Sequence, residues 1–137
     1  MKRAAPRLAL LVTALLAGCD HPLFPDADDI DLRTDESHYA AGDTATLRIH
    51  NDSGETIGYN LCSHLIQRHD DDGWSDTLYG HDLPCIAMWL ELRHGRSDTY
   101  PATLAPEMPA GTYRFRTRVD TDYDGEFSIY SNTFEVE

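Results

Sequence analysis

From Ile30 to the end of the chain, apolar residues recur at every second position, and clusters of turn formers interrupt them about every ten positions. Alternate side chains of a strand point to opposite faces, so this pattern demands half-buried strands and leaves no room for a helix longer than a turn. The clearest case is 44–50, where Ala45, Leu47 and Ile49 share one face and Thr46, Arg48 and His50 the other. Asn51-Asp52-Ser53-Gly54 then ends the strand with residues suited to turns. Further strands are predicted at 56–62, at 65–69 before the turn Asp70-Asp71-Asp72-Gly73, at 86–92 with Ile86, Met88, Leu90 and Leu92 on one side, and at 98–103 after the turn Arg93-His94-Gly95-Arg96.

Past Pro106, Pro109 and Gly111, the segment 112–119 sets Tyr113, Phe115, Thr117 and Val119 inward and Arg114, Arg116 and Arg118 outward. In the last strand the parity of Phe127 and Ile129 is opposite to that of Phe134 and Val136. One extra residue must be absorbed between them, which predicts a β-bulge at Ser131-Asn132. The sum is seven or eight short antiparallel strands in a single all-β domain over 29–137, with the two-sheet sandwich as the expected architecture.

The N-terminus reads differently. Lys2, Arg3 and Arg7 precede the apolar run 8–16, which is too short to span a bilayer and ends in small residues, so 1–18 is expected to be an export signal peptide that is removed. Leu16-Ala17-Gly18-Cys19 resembles the lipobox of bacterial lipoproteins, which implies that Cys19 is acylated with diacylglyceryl and amide-linked acyl (palmitate-type) chains and anchors the protein to a bacterial membrane. The alternative is an ordinary thiol behind a simple secretory signal. Asp20 resembles the inner-membrane retention signal of enterobacterial lipoproteins, and 19–28, with Pro22 and Pro25, reads as a short tether.

Cleavage would leave eight arginines against all 24 acidic residues, a net charge of −16. Such a surface repels phosphate backbones and anionic headgroups, which excludes nucleic acid as an expected partner and makes any electrostatically steered partner cationic. Export into an oxidising compartment predicts a disulfide between Cys62 and Cys85, contributing roughly 3 kcal/mol by constraining the unfolded chain. A two-cysteine metal or redox site would need closer spacing or a histidine pair nearby.

Tyr59-Asn60-Leu61-Cys62, Gly73-Trp74, Cys85, the Gly95 turn, Pro109-Ala110-Gly111-Thr112-Tyr113-Arg114-Phe115 and Ser131-Asn132-Thr133-Phe134-Glu135-Val136 occur in an order that resembles bacterial lipoproteins with immunoglobulin-like domains. A fainter likeness runs to a bacterial family of intracellular proteinase inhibitors. The resemblance covers nearly the whole chain after Cys19 and implies an immunoglobulin-like β-sandwich with no agreed catalytic residues.

Candidate chemistry is sparse. Asp120, Asp122 and Asp124, followed by Gly125, match the first half of a calcium loop, but the bidentate acid due six residues past the glycine is Ser131. Calcium there competes with a solvated hairpin tip between the last two strands. Asp70-Asp71-Asp72 lacks the alternating spacing. None of the seven histidines, His64, His69 and His81 included, forms an HxH or HExxH pair, and no serine sits in a nucleophile elbow. Arg114, Arg116 and Arg118 gather three of eight positive charges on one strand face; either Glu91 and Glu135 pair with them across the sheet, or they meet an anionic ligand or partner. Of Trp74 and Trp89, one is expected in the core near the disulfide and the other to cap an edge or expose a contact surface; Trp89, with the parity of Glu91, is the candidate partner-binding residue. The sequence therefore predicts a non-enzymatic, membrane-anchored module that binds or supports another envelope protein. An inhibitor acting through an exposed loop is the alternative.

Overall fold

The computed structural model describes residues 29–79, 84–86 and 88–137. Cys19, the predicted signal peptide and tether, and His81 lie outside them. Eleven strands are described, more than the seven or eight predicted: β1 (Ile30–Thr34), β2 (His38–Tyr39), β3 (Thr44–Asn51), β4 (Ile57–Tyr59), β5 (Leu65–Asp70), β6 (Gly73–Asp76), β7 (Leu90–Leu92), β8 (Arg96–Thr103), β9 (Gly111–Thr121), β10 (Gly125–Tyr130) and β11 (Phe134–Val136). A 3-10 turn lies at Leu61–Ser63, and no described helix is long and apolar enough to cross a membrane.

The strands form two sheets. The smaller has the order β1-β3-β8, antiparallel throughout, with Leu32 opposite Ile49 and Ala45 opposite Ala102. Pro101 is tolerated in β8 because that strand is an edge, where a missing N–H breaks no ladder. The larger sheet is organised around β9, the longest strand, which alternates as the sequence requires: Tyr113, Phe115, Thr117 and Val119 are buried and the three arginines face out. Both sheets turn their apolar faces to one core, where Leu32, Ala45, Leu47 and Ile49 meet Ile57, Ile66, Phe115, Val119 and Phe134. At 0.8 kcal/mol per buried methylene, roughly, such contacts are the main source of stability.

Each edge of β9 carries two strands in succession, and each succession is broken. On one side β10 pairs with 116–121 and β11 with 111–113, with Tyr130 opposite Arg116 and Phe134 opposite Tyr113. Residues 131–133 therefore face only Arg114 and Phe115, which is the single extra residue that the parity change demands. Phe115 N–H donates to Ser131 Oγ (2.9 Å) and the Phe115 carbonyl accepts from Ser131 N–H (2.9 Å), so a hydroxyl substitutes for the ladder carbonyl that the bulge displaces. On the other side β4 pairs Tyr59 with Val119 and β5 pairs Leu65 with Arg116. Five residues, 60–64, thus lie opposite two, and the surplus is coiled into the 3-10 turn that carries Cys62.

The strand predicted at 56–62 is confined to Ile57–Tyr59, because Leu61–Ser63 coils into the turn, and three further expectations fail. The segment 86–92 is not a full strand: only Leu90–Leu92 pairs, as β7 against β4, and Ile86, Met88 and Leu90 are exposed while Leu92 alone of that set is buried. Neither tryptophan fills the core, since Trp74 is half-buried on β6 and Trp89 is 44% exposed. Asn51 is not a turn residue but the fully buried end of β3; its amide nitrogen donates to the Glu55 and Leu92 carbonyls and its oxygen accepts from Ser53, which satisfies it without water.

Candidate interaction surface

Cys62 and Cys85 are joined, with Cα atoms 5.5 Å apart. Asn60, which the sequence offered only as part of a resemblance, organises both halves of this bridge. Its Oδ1 accepts from Cys62 N–H (3.1 Å) and caps the 3-10 turn, its Nδ2 donates to the Ile86 carbonyl (2.8 Å), and its carbonyl accepts from Ser63 Oγ (2.9 Å) and Thr117 Oγ1 (3.2 Å). The following His64 is buried, with Nδ1 2.8 Å from the Leu61 carbonyl and its ring against Phe115 and Tyr100. The turn is therefore fixed from the core side by a ring and from the solvent side by an amide.

The bridge delivers Ile86, Met88, Trp89 and Leu90 to the surface, at 76, 57, 44 and 43% exposure. Large apolar residues exposed in succession are unusual on a small domain and mark a contact surface more often than chance placement does. Beside them is a cleft of about 170 Å3 lined by Asn60, Ser63, Met88, Trp89, Arg118 and Glu126. It joins two of the candidate residues, Trp89 and Arg118. Strand register explains the meeting: Gly58 on β4 lies opposite both Glu91 of β7 and Asp120 of β9, and Asp120 lies opposite Glu126 of β10. A Cβ at Gly58 would stand 3.6 Å from the Trp89 ring, an ordinary contact distance, so the indole lies against the sheet at this position.

Arg114 and Arg116 lie farther along the same face. The Arg114 guanidinium is stacked between the Trp74 and Tyr130 rings, 4.1 Å from each centroid, and Nε donates to Gln67 Oε1 at 2.8 Å. Burial holds its pKa below the usual arginine value. Arg116 pairs with Asp76 at 3.1 Å and Arg118 with Glu126 at 2.5 Å. Partner acids are thus present, Asp76 on β6 beyond β5 and Glu126 on the adjacent β10, but they are not Glu91 and Glu135; Glu135 instead accepts from Thr112 Oγ1 at 2.8 Å. The strands beside Arg116 and Arg118 are β5 and β10, an arrangement that sequence order alone does not dictate.

The aspartates of the calcium-like motif occupy the β9–β10 hairpin, where Gly125 adopts a φ of 67° suited to its position after the turn. Asp120 faces outward on β9, while Asp122 and Asp124 lie in the turn near Glu55. Desolvation, then the charges of Asp122 and Asp124, push the Glu55 carboxyl above its ordinary range. Among the described residues no three His, Cys, Asp or Glu side chains are grouped so as to hold a metal ion.

A second, larger concavity of about 810 Å3 opens between the β1–β2 segment and residues 130–132. Its polar groups largely engage one another: Arg33 with Asp31 at 2.7 Å, Tyr39 Oη with Asp35 at 2.6 Å, and Thr34 twice with Asn132 at 2.9 and 2.8 Å. Ser37 Oγ lies 3.0 Å from His38 Nδ1, but an activated hydroxyl also requires a group that orients the far ring nitrogen, and no such bond is recorded among the described residues. Comparison with known proteins adds no assignment: no family matches the chain, and no curated protein matches it in sequence.

Proposed function

We propose that this chain is a non-catalytic binding or structural module of the bacterial cell envelope, with an immunoglobulin-like β-sandwich held to a membrane through acylated Cys19. The observation that carries the reading is the exposed run Met88-Trp89-Leu90, braced by the Cys62–Cys85 bridge beside a cleft and not buried in the core. A stability-driven domain hides such residues, whereas a docking surface displays them around a rigid support. The lipobox-like Leu16-Ala17-Gly18-Cys19 supplies the address, and a disulfide suits the oxidising side of a membrane.

Metabolic labelling with an alkyne fatty acid tests the anchor. The full chain should take up label and sediment with membranes, and Cys19→Ser should do neither; an unlabelled, freely soluble wild type would overturn the anchored reading. The same disulfide-braced segment favours one second reading, a proteinase inhibitor that presents the exposed residues Ile86, Met88 and Trp89. Stoichiometric loss of activity across a panel of serine and cysteine proteinases, with the chain left uncut, would select it over the envelope module.

A further inference from the structure

Two strips of opposite character adjoin on the outward face of the large sheet. One is apolar, Met88 and Trp89, with the cleft at its foot. The other is acidic, because the register places Glu91, Asp120 and Glu126 in one row across β7, β4, β9 and β10, interrupted only by Gly58. Arg118 offsets Glu126, whereas the side chains of Glu91 and Asp120 make no hydrogen bond or ion pair among the described residues. Carboxylates left unneutralised beside an exposed indole present a surface that is attractive to cations from two directions, by charge and through the ring face.

We infer that this face docks a basic polypeptide segment that places one apolar side chain in the cleft and lysine or arginine over the Glu91–Asp120 row. The inference rests on the binding-module reading and specifies its partner. A cleft of about 170 Å3 is smaller than the roughly 300–1,000 Å3 pockets that enclose small molecules, and is suited to a single anchoring side chain. Charge decides the remainder. A chain of formal net charge −13 repels nucleic acid, anionic lipid and its own copies, and attracts a basic segment at long range. An apolar anchor flanked by cations meets both strips at once.

The test is fluorescence anisotropy of the full chain with a fluorescein-labelled peptide, Lys-Lys-Arg-Leu-Arg-Lys-Lys, alongside versions with glycine for leucine and with glutamate for every basic residue. The basic peptide should bind saturably and weaken as salt rises, the glycine version should bind about tenfold more weakly, and the acidic one should not bind. Trp89→Ala should cost about tenfold or more. The double variant Glu91→Gln, Asp120→Asn should weaken binding and flatten the salt dependence. Both positions are exposed, so this variant keeps the test valid even if the tryptophan variant unfolds.

Absence of saturable binding below about 1 mM, equal binding of the acidic peptide, or binding indifferent to both variants would overturn the inference. Light scattering that shows dimers abolished by Trp89→Ala would also overturn it, by assigning the face to a second copy. Failure here with intact lipid labelling removes only the partner assignment. Failure of labelling with peptide binding intact removes only the anchor.

Discussion

The two flanks of β9 solve the same problem by different means. Each carries two strands in line and must accommodate surplus residues opposite the middle of β9, one residue at 131–133 and three within 60–64. The single residue is absorbed as a bulge healed by one hydroxyl, and it leaves little on the surface. Three residues are too many for a bulge, so they coil into a 3-10 turn that must be tied down by Asn60, His64 and the disulfide, and the tie-down carries an apolar segment into solvent. A small insertion corrects register; a larger one builds a surface.

Phe115 stands between the two breaks, giving both backbone groups to Ser131 and its ring to His64 and Phe134, at 5.2 Å from each. Phe115→Ala should therefore damage both flanks and cost about 3–5 kcal/mol in urea unfolding, the largest single effect expected. Replacing Cys62 and Cys85 together by alanine attacks only the β4–β5 flank and should cost about 3 kcal/mol, lowering the melting temperature by roughly 10–20 °C. If this double variant also exposed the β10–β11 flank to hydrogen exchange, the two breaks would not be independent.

Titration offers a comparison in which the flanks should behave alike. Tyr39, beside the bulged flank, and Tyr59, beside the turn, are both pushed up to about 12, chiefly by burial and then by donating to Asp35 and Asp98. A raised tyrosine pKa means that stability is full below about 10, the value in the unfolded chain, and is lost as pH rises through the folded value near 12. Melting temperature should fall over that window, and Tyr39→Phe or Tyr59→Phe should each remove part of the fall. The Tyr39 hydroxyl, with the Thr46 N–H behind it, holds Asp35 below its ordinary pKa, so that contribution is present above the usual aspartate range and disappears as pH drops through the depressed value, an effect Tyr39→Phe should weaken.

Ser131→Ala removes the hydroxyl that accepts from the Phe115 N–H and should cost about 1–3 kcal/mol, whereas the one-residue length of the bulge is unchanged. The smallest effects belong to the exposed arginines. Arg116→Gln and Arg118→Gln should each cost about 0.2–1 kcal/mol in thermal or chemical unfolding, while Arg114→Gln, which loses two ring faces, should cost up to about 2 kcal/mol.

The same contrast explains which parts of the molecule were legible in advance. Alternation names inward residues wherever a strand runs unbroken, as in β3 and β9, and a single parity change located the bulge at Ser131-Asn132 correctly. The alternation of 86–92 misled because backbone groups there have other obligations: the Ile86 carbonyl accepts from Asn60 and from Met88 N–H, so the segment cannot also extend as a ladder. Periodicity records side-chain preference and is blind to such competition. The outward direction of the arginines was readable from parity, yet the acids facing them depend on which strands lie beside β9, and that is a property of the assembled sheet. Asn60 escaped notice as a site residue because an asparagine next to a cysteine has no periodic signature. Its one local signal is the position ahead of a tight turn, where asparagine is favoured as a cap.

Residues 131–133 also reach across the layers. Asn132 accepts from the Thr34 N–H and donates to the Thr34 hydroxyl, so the segment that offsets the phase of the large sheet is also the latch for the first strand of the small one. Loop tips such as 122–124 can gain or lose a residue at little cost, since nothing downstream counts on their length. At the latch, one deletion would reverse which faces of Phe134 and Val136 meet the interior and would pull Asn132 out of reach of its neighbour, so chain length there is as strictly specified as any buried side chain.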